Sequence, residues 1–141
     1  MSDTRMTTEE REAFLADLHV GVLSIPRAAP EAPVWYGYEP GGDIVVLTGP
    51  DSRKGRLLAE GVAVTLVAQQ EAVPYAYVSV EGVVTSIRPA DDADTRTMAR
   101  RYLGSDAGDA YTDATAASPS VHVGIRPQRW LTVDYSKSSP I

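Results

Sequence analysis

The segment Leu47–Leu58, LTGPDSRKGRLL, gathers the residues with the clearest capacity for chemistry. Arg53, Lys54 and Arg56 fall within four residues of a chain whose net charge is −6. They follow Ser52, a good helix N-cap, and the turn Gly49-Pro50-Asp51, which itself follows Thr48. If Thr48 ends a strand and Ser52 opens a helix, two hydroxyls, the turn amides, the Arg53 fork and the Lys54 ammonium converge on one small volume. Such a volume suits a terminal phosphate, each charge-assisted hydrogen bond contributing about 1.5–3 kcal/mol. The alternative is a solvated helix start whose cations pair with Asp51 or Glu60. A helix dipole opposes cations at its N-terminus, so a seat of this kind needs a compensating anion. The pattern is not a Walker motif, because no Lys-Ser or Lys-Thr pair follows a second glycine.

The remaining composition narrows the chemistry. With no Cys there is no disulfide, thiolate nucleophile or Cys-ligated metal. His19 and His122 are the only histidines, so no metal site is expected. The negative charge argues against nucleic acid as main partner, since phosphate backbones need a basic field. Eleven Arg against two Lys favours forks suited to phosphate and carboxylate. His122 lies in alternating SVHVGI and reads as a strand-face residue or a pocket proton donor; His19 is placed to cap the last carbonyls of the first helix. Tyr75 and Tyr77 are further candidate proton donors.

The elements that must position these residues follow from pattern. Thr7 and Glu10 have capping-box spacing, predicting a helix over 7–18 with Phe14, Leu15 and Leu18 on its apolar face. HVGVLSI (19–25) alternates as a strand; PRAAPEAP reads as a proline-rich connection; VWYGYE (34–39) is the returning strand. PGGD turns into the buried strand IVVLT (44–48), and Ser52 starts a short helix that Gly61 stops. VAVTLVA (62–68) and AYVSVEGVVTSI (76–87) are strands, the second with a bulge at Gly82. A helix is predicted over about 90–103, with Met98, Tyr102 and Leu103 inward, then a partly helical connection over 105–120. VHVGI and RWLTVDY complete the set as two strands. The pattern predicts one domain over residues 1–141, a small β-barrel of about seven strands with peripheral helices. The N-terminus lacks a secretory apolar run and no stretch of 18 apolar residues occurs, so a cytoplasmic protein is expected.

From HVGVLSI to RPQRWLTVDYSK the chain resembles the pyridoxamine 5'-phosphate oxidase-like superfamily, whose members are flavin- or deazaflavin-binding split β-barrels. T-GPD-SRK matches the segment in which such a protein ends a strand in Thr and follows it, three residues later, with Ser-Arg-Lys. PYAYVSVEG and IRPQRWLTVDYSK match family segments in order and spacing. The resemblance implies that Thr48, Ser52, Arg53 and Lys54 hold a cofactor phosphate and that the backbone of Val34, Trp35 and Tyr36 borders the flavin's pyrimidine edge. Tyr77 stands where pyridoxamine-phosphate oxidases carry a Gln that touches the flavin. Packing in the core is an equal reading for Trp35 and Tyr36.

Vitamin-synthesising members carry an Arg and a Lys where this chain has Ala32 and Gly37, and they have a later Tyr/Arg/Ser set that it lacks. The resemblance therefore implies a cofactor and a fold, not the oxidase that names the family. It implies an FMN-dependent oxidoreductase acting on a small hydrophobic or conjugated substrate. The alternatives are a deazaflavin (F-420-type) reductase, a non-catalytic FMN- or haem-binding module, and a dimeric scaffold with a vacant site. A deazaflavin tail calls for cations, for which Arg56, Arg126 and Arg129 are candidates, whereas Asp106, Asp109 and Asp113 crowd the 105–120 segment; that favours FMN. The family pattern also implies a homodimer with the cofactor at the subunit junction.

Overall fold

The structure is a computed structural model describing residues 3–138. Helix α1 (Thr8–Ala16) begins as the capping box dictates: the Glu10 N–H donates to Thr7 Oγ1 at 3.1 Å, and the Thr7 N–H donates to Glu10 Oε1 at 2.8 Å. Strands β1 (Gly21–Ile25), β2 (Ala29–Val34), β3 (Tyr36–Tyr38) and β4 (Ile44–Thr48) follow, then the short helix α2 (Arg53–Leu57). Strands β5 (Ala63–Gln70) and β6 (Ala76–Pro89) lead to the helical hairpin α3 (Asp92–Leu103) and α4 (Ser105–Ala114), and β7 (Val121–Asp134) closes the sheet.

All pairings are antiparallel, in the order β2-β1-β5-β6-β7-β4-β3. The two edge strands are neighbours in the chain, separated only by Trp35. A flat seven-stranded sheet would hold its edges about 30 Å apart, so one residue joins them only if the sheet curls. It does: alternate residues of every strand, among them Leu23, Tyr36, Val46, Leu66, Val80 and Ile125, turn into one core that Leu15 of α1 plugs. This is a split β-barrel with peripheral helices.

The strand total matches the sequence expectation, but its membership differs. PRAAPEAP supplies β2, because Pro30 and Pro33 lie on an edge strand where a missing N–H is tolerated. The expected final pair is one 14-residue strand. It continues through Pro127 by a bulge opposite Gly82, where a Cβ would stand 2.7 Å from the Arg126 carbonyl oxygen. The expected partly helical connection over 105–120 is helix α4 as far as Ala114. Its inward positions are Gly108 and Thr112, too small to give an apolar period. A Cβ on Gly108 would meet the Arg100 backbone at 2.7 Å, so this glycine sets the close approach of α4 to α3. Leu103, expected inward, is exposed.

Candidate functional site

Helix α3 carries the residues that fix the region around Trp35. Arg101 donates from Nε to the Tyr36 carbonyl at 3.0 Å and from Nη2 to the Asp17 carbonyl at 2.7 Å, and both terminal nitrogens reach the Ala16 carbonyl at 3.2 Å. It therefore caps the end of α1, the task expected of His19, which instead stacks on Phe14 with centroids 4.4 Å apart. The Tyr102 hydroxyl accepts from the Tyr36 N–H at 3.0 Å and lies 2.6 Å from the His19 carbonyl. The Tyr102 ring stacks on Trp35 at 5.0 Å and 6°, with Tyr111 tilted against the same indole at 5.4 Å.

These bonds decide what Val34, Trp35 and Tyr36 can do. Tyr36 is wholly buried, its hydroxyl donates to the Leu15 carbonyl at 2.7 Å, and its backbone N–H and C=O are both engaged by α3. Burial pushes its phenol well above the usual tyrosine range, with the neighbouring Tyr102 adding to the effect. Tyr36 is a core residue. Val34 is likewise buried, and pairs with Gly21. Trp35 alone of the three faces a cavity.

That cavity, about 290 Å³, is walled by Trp35, Tyr111, Met98 and the Ser118–Ser120 loop, and reaches Thr48 and Gly49. A second one of about 550 Å³ lies between α3 and the outer face of β3, β4 and β7, and is lined by Gly37, Glu39, Asp43, Thr97, Arg101 and His122 among others. Leu47 and Met98 border both. His122, opposite Leu47 on the strand ladder, keeps its Nδ1 buried without a partner among the described residues.

The basic corner forms as the spacing demands. Thr48 ends β4, Ser52 caps α2, and the Ser52 hydroxyl accepts from the Gly55 N–H at 3.0 Å while donating to the Gly49 carbonyl at 2.8 Å. Thr48 Oγ1 lies 3.1 Å from Ser52 Oγ. Both hydroxyls are thus committed to the turn. The Arg53 and Lys54 amides, at the first turn of α2, have no intrahelical acceptor. Arg53, Lys54 and Arg56 form no ion pair among the described residues, so the expected alternative of neutralisation by Asp51 or Glu60 does not occur. Sequence reasoning missed Gly55. A Cβ there would collide with the Gly49 carbonyl oxygen, so only glycine lets the turn fold down onto α2.

Other candidates lie elsewhere. Thr48 pairs with Val121, at one end of β7, and Tyr77 with Val133, near the other. The strand contour between those positions is about 40 Å, so one chain does not bring Tyr77 to the corner. Tyr75, half exposed just before β6, shares that distant end. Arg129 pairs with Glu81 at 3.3 Å, and Arg126 sits at the β7 bulge.

The charge of the helical hairpin also departs from expectation. Arg96 forks Asp92, Asp109 and Asp113, and Arg100 holds Asp109 at 2.7 and 2.8 Å. Arg100, then Arg96, hold the Asp109 carboxyl well below the usual carboxylate range. Asp109 and Asp113 are thus compensated by α3, and the acidity of 105–120 no longer argues against a polyanionic ligand.

Solved structures with the same chain path settle the fold. The conserved hypothetical protein Rv2991 from Mycobacterium tuberculosis matches at TM-score 0.72 and 23% identity, over 97% of this chain and 90% of that one. An F420 reductase matches at 0.66 and 22%, over 85% of this chain and 94% of that one. The FAD and heme binding protein from Mycobacterium smegmatis matches at 0.62 and 15%, over 93% and 72%. The chain has the split-barrel fold of these proteins. No protein-family model and no curated protein matches the sequence. Within this split barrel, the β4–α2 corner and the two cavities beside it are the candidate site.

Proposed function

We propose that the chain is a flavin-dependent oxidoreductase in which the β4–α2 corner holds the phosphate of FMN. One observation carries the reading: among the described residues Arg53 and Lys54 have no carboxylate partner, in an acidic protein, and they stand beside two first-turn amides and the mouth of an aromatic-walled cavity. A phosphate supplies the anion that uncompensated cations at a helix start require. The flavin, when bound, supplies the hydride chemistry. The chain's contribution is to anchor the phosphate through Arg53 and Lys54, hold the corner shut with Ser52 and Gly55, and present the Trp35 indole, stiffened by Tyr102. FMN titration followed by flavin fluorescence tests this. Micromolar or tighter binding that Lys54→Ala weakens is expected; equal binding by both proteins rejects the seat.

A deazaflavin is the second reading, favoured by the compensated Asp109 and Asp113 and by the similarity to an F420 reductase. Competition between the two cofactors at one salt concentration separates them.

The same reading includes a homodimer. Pro33, Val22, Val67, Ser79 and Leu131 form one paired row across the outside of five strands, with Val22 38% and Leu131 61% exposed and Leu18 and Val20 beside them. A row with four apolar side chains and one serine across five strands calls for cover. Light scattering at micromolar concentration checks it: a dimer that Leu131→Asp converts to a folded monomer is expected.

A further inference from the structure

The 550 Å³ cavity is the right size for a small molecule and has a charge character of its own. Three carboxylates, Glu39, Asp43 and Asp94, and one guanidinium, Arg101, line it. Their states differ. Asp94 is forked by Arg88 at 2.7 and 3.0 Å, so its charge is compensated from outside the cavity. The Arg101 nitrogens are all engaged with the carbonyls of Ala16, Asp17 and Tyr36, so it has no fork to offer an anion without releasing the end of α1. Asp43 accepts from Thr85 Oγ1 at 2.8 Å and, like Glu39, has no cationic partner among the described residues. What a ligand meets is therefore two uncompensated carboxylates, a committed guanidinium and the His122 imidazole.

Position gives this meaning. The smaller cavity opens at Thr48 and Gly49, on the basic corner; the larger begins on the far side of Leu47 and Met98, which border both. Met98 is 7% exposed and its Cε lies against Gly37, so this thioether forms the waist between the two cavities. The groove thus has a cationic end and an anionic end.

We infer that the larger cavity is the substrate's, and that it favours a small molecule bearing a positive charge or none over an anion. The inference rests on the corner as cofactor seat only for the word substrate; the cavity's charge preference stands without it. Repulsion by two rim carboxylates, screened by water and salt, corresponds to a preference of about fivefold at low ionic strength.

The test uses the ligand-free protein. Its three methionines give a simple carbon-13 methyl spectrum, in which Met98 is assigned by Met98→Leu. Phenyltrimethylammonium and benzenesulfonate, close in size and opposite in charge, are titrated separately. The expected result is that the ammonium moves the Met98 methyl at about one fifth the concentration the sulfonate needs. Raising salt, or the double variant Glu39→Gln with Asp43→Asn, brings the two together; Asn keeps an acceptor for Thr85. Equal or tighter sulfonate binding, a Met98 signal that neither probe moves, or a preference that survives in the double variant overturns the inference. An FMN titration on the same sample keeps the two readings apart. Cation preference without FMN binding sinks only the cofactor assignment, and FMN binding without cation preference sinks only this one.

Discussion

Removing the Lys54 ammonium should separate affinity from stability. Among the described residues Lys54 has no ion-pair partner, and it stands in the first turn of α2, where the helix dipole disfavours a cation, so its charge contributes repulsion rather than a bond. Lys54→Ala should leave the urea midpoint unchanged or slightly raised. Binding should respond differently. A charge-assisted hydrogen bond to phosphate is worth about 1.5–3 kcal/mol. Lys54 is half-buried and Arg53 exposed, so the lower half of that range applies, and Arg53 should contribute less than Lys54. At about 1.4 kcal/mol per decade, Lys54→Ala should weaken FMN roughly ten- to fortyfold.

Riboflavin makes the assay specific, since it has the ring system and no phosphate. If Lys54 acts on phosphate, the variant loses FMN affinity and keeps riboflavin affinity, so the ratio of the two dissociation constants falls toward one. Fluorescence quenching at 50 and 300 mM salt would show it, the wild-type ratio shrinking with salt. A variant that loses both ligands equally, or whose urea midpoint drops with its affinity, would show that Lys54 shapes the corner instead of binding through it, and the argument from unpaired charge would fail.

Gly55→Ala drives a Cβ onto the Gly49 carbonyl, which must move; a loss of about 2–4 kcal/mol by urea unfolding and loss of FMN binding together are expected. Arg101→Lys should not rescue Arg101→Ala, because an ammonium cannot span the carbonyls of Ala16, Asp17 and Tyr36; both variants should lose about 2–4 kcal/mol on thermal or urea unfolding. Acid should loosen the helical hairpin. The carboxyls of Asp109, beside Arg100 and Arg96, and Asp94, beside Arg88, are depressed in the folded chain, so their stabilisation is present above the ordinary Asp pKa of about 4 and is lost as pH falls from there through the depressed values. Helical circular dichroism against pH should show that acid limb, and Asp109→Asn should flatten it.

What the sequence made legible tracks how local the physics is. The capping box at Thr7 and the β4–α2 corner need only residues within a few positions of one another, and both formed as their spacing implies. Strand β2 was hidden because prolines disfavour strands in general, and only the completed sheet order shows that these ones lie on an edge. Helix α4 was hidden because its inward face is Gly108 and Thr112, a pattern set by how close α3 stands. The fate of Asp109 and Asp113 was hidden for the same reason: their cations lie 9 to 17 positions away on α3. Arg101 could not be found at all from the chain, since its four bonds reach back more than sixty residues to carbonyls that carry no sequence signature.

The separation of Tyr77 from the corner bears on how a site of this kind is completed. Within one chain the corner lies at the Val121 end of β7 and Tyr77 near the Asp134 end, so no motion short of unfolding brings them together. Yet the exposed row from Pro33 to Leu131 lies toward the Tyr77 end of the same sheet, since Ser79, two positions from Tyr77, is part of it. If a second copy covers that row, Tyr77, two positions from Ser79 on the same face of β6, lies beside the junction. A role for Tyr77 in binding then requires the dimer, and Leu131→Asp becomes its test. A monomeric variant that keeps wild-type FMN affinity, with Tyr77→Ala silent in the dimer, would leave the corner and Trp35 to bind the cofactor from one chain alone.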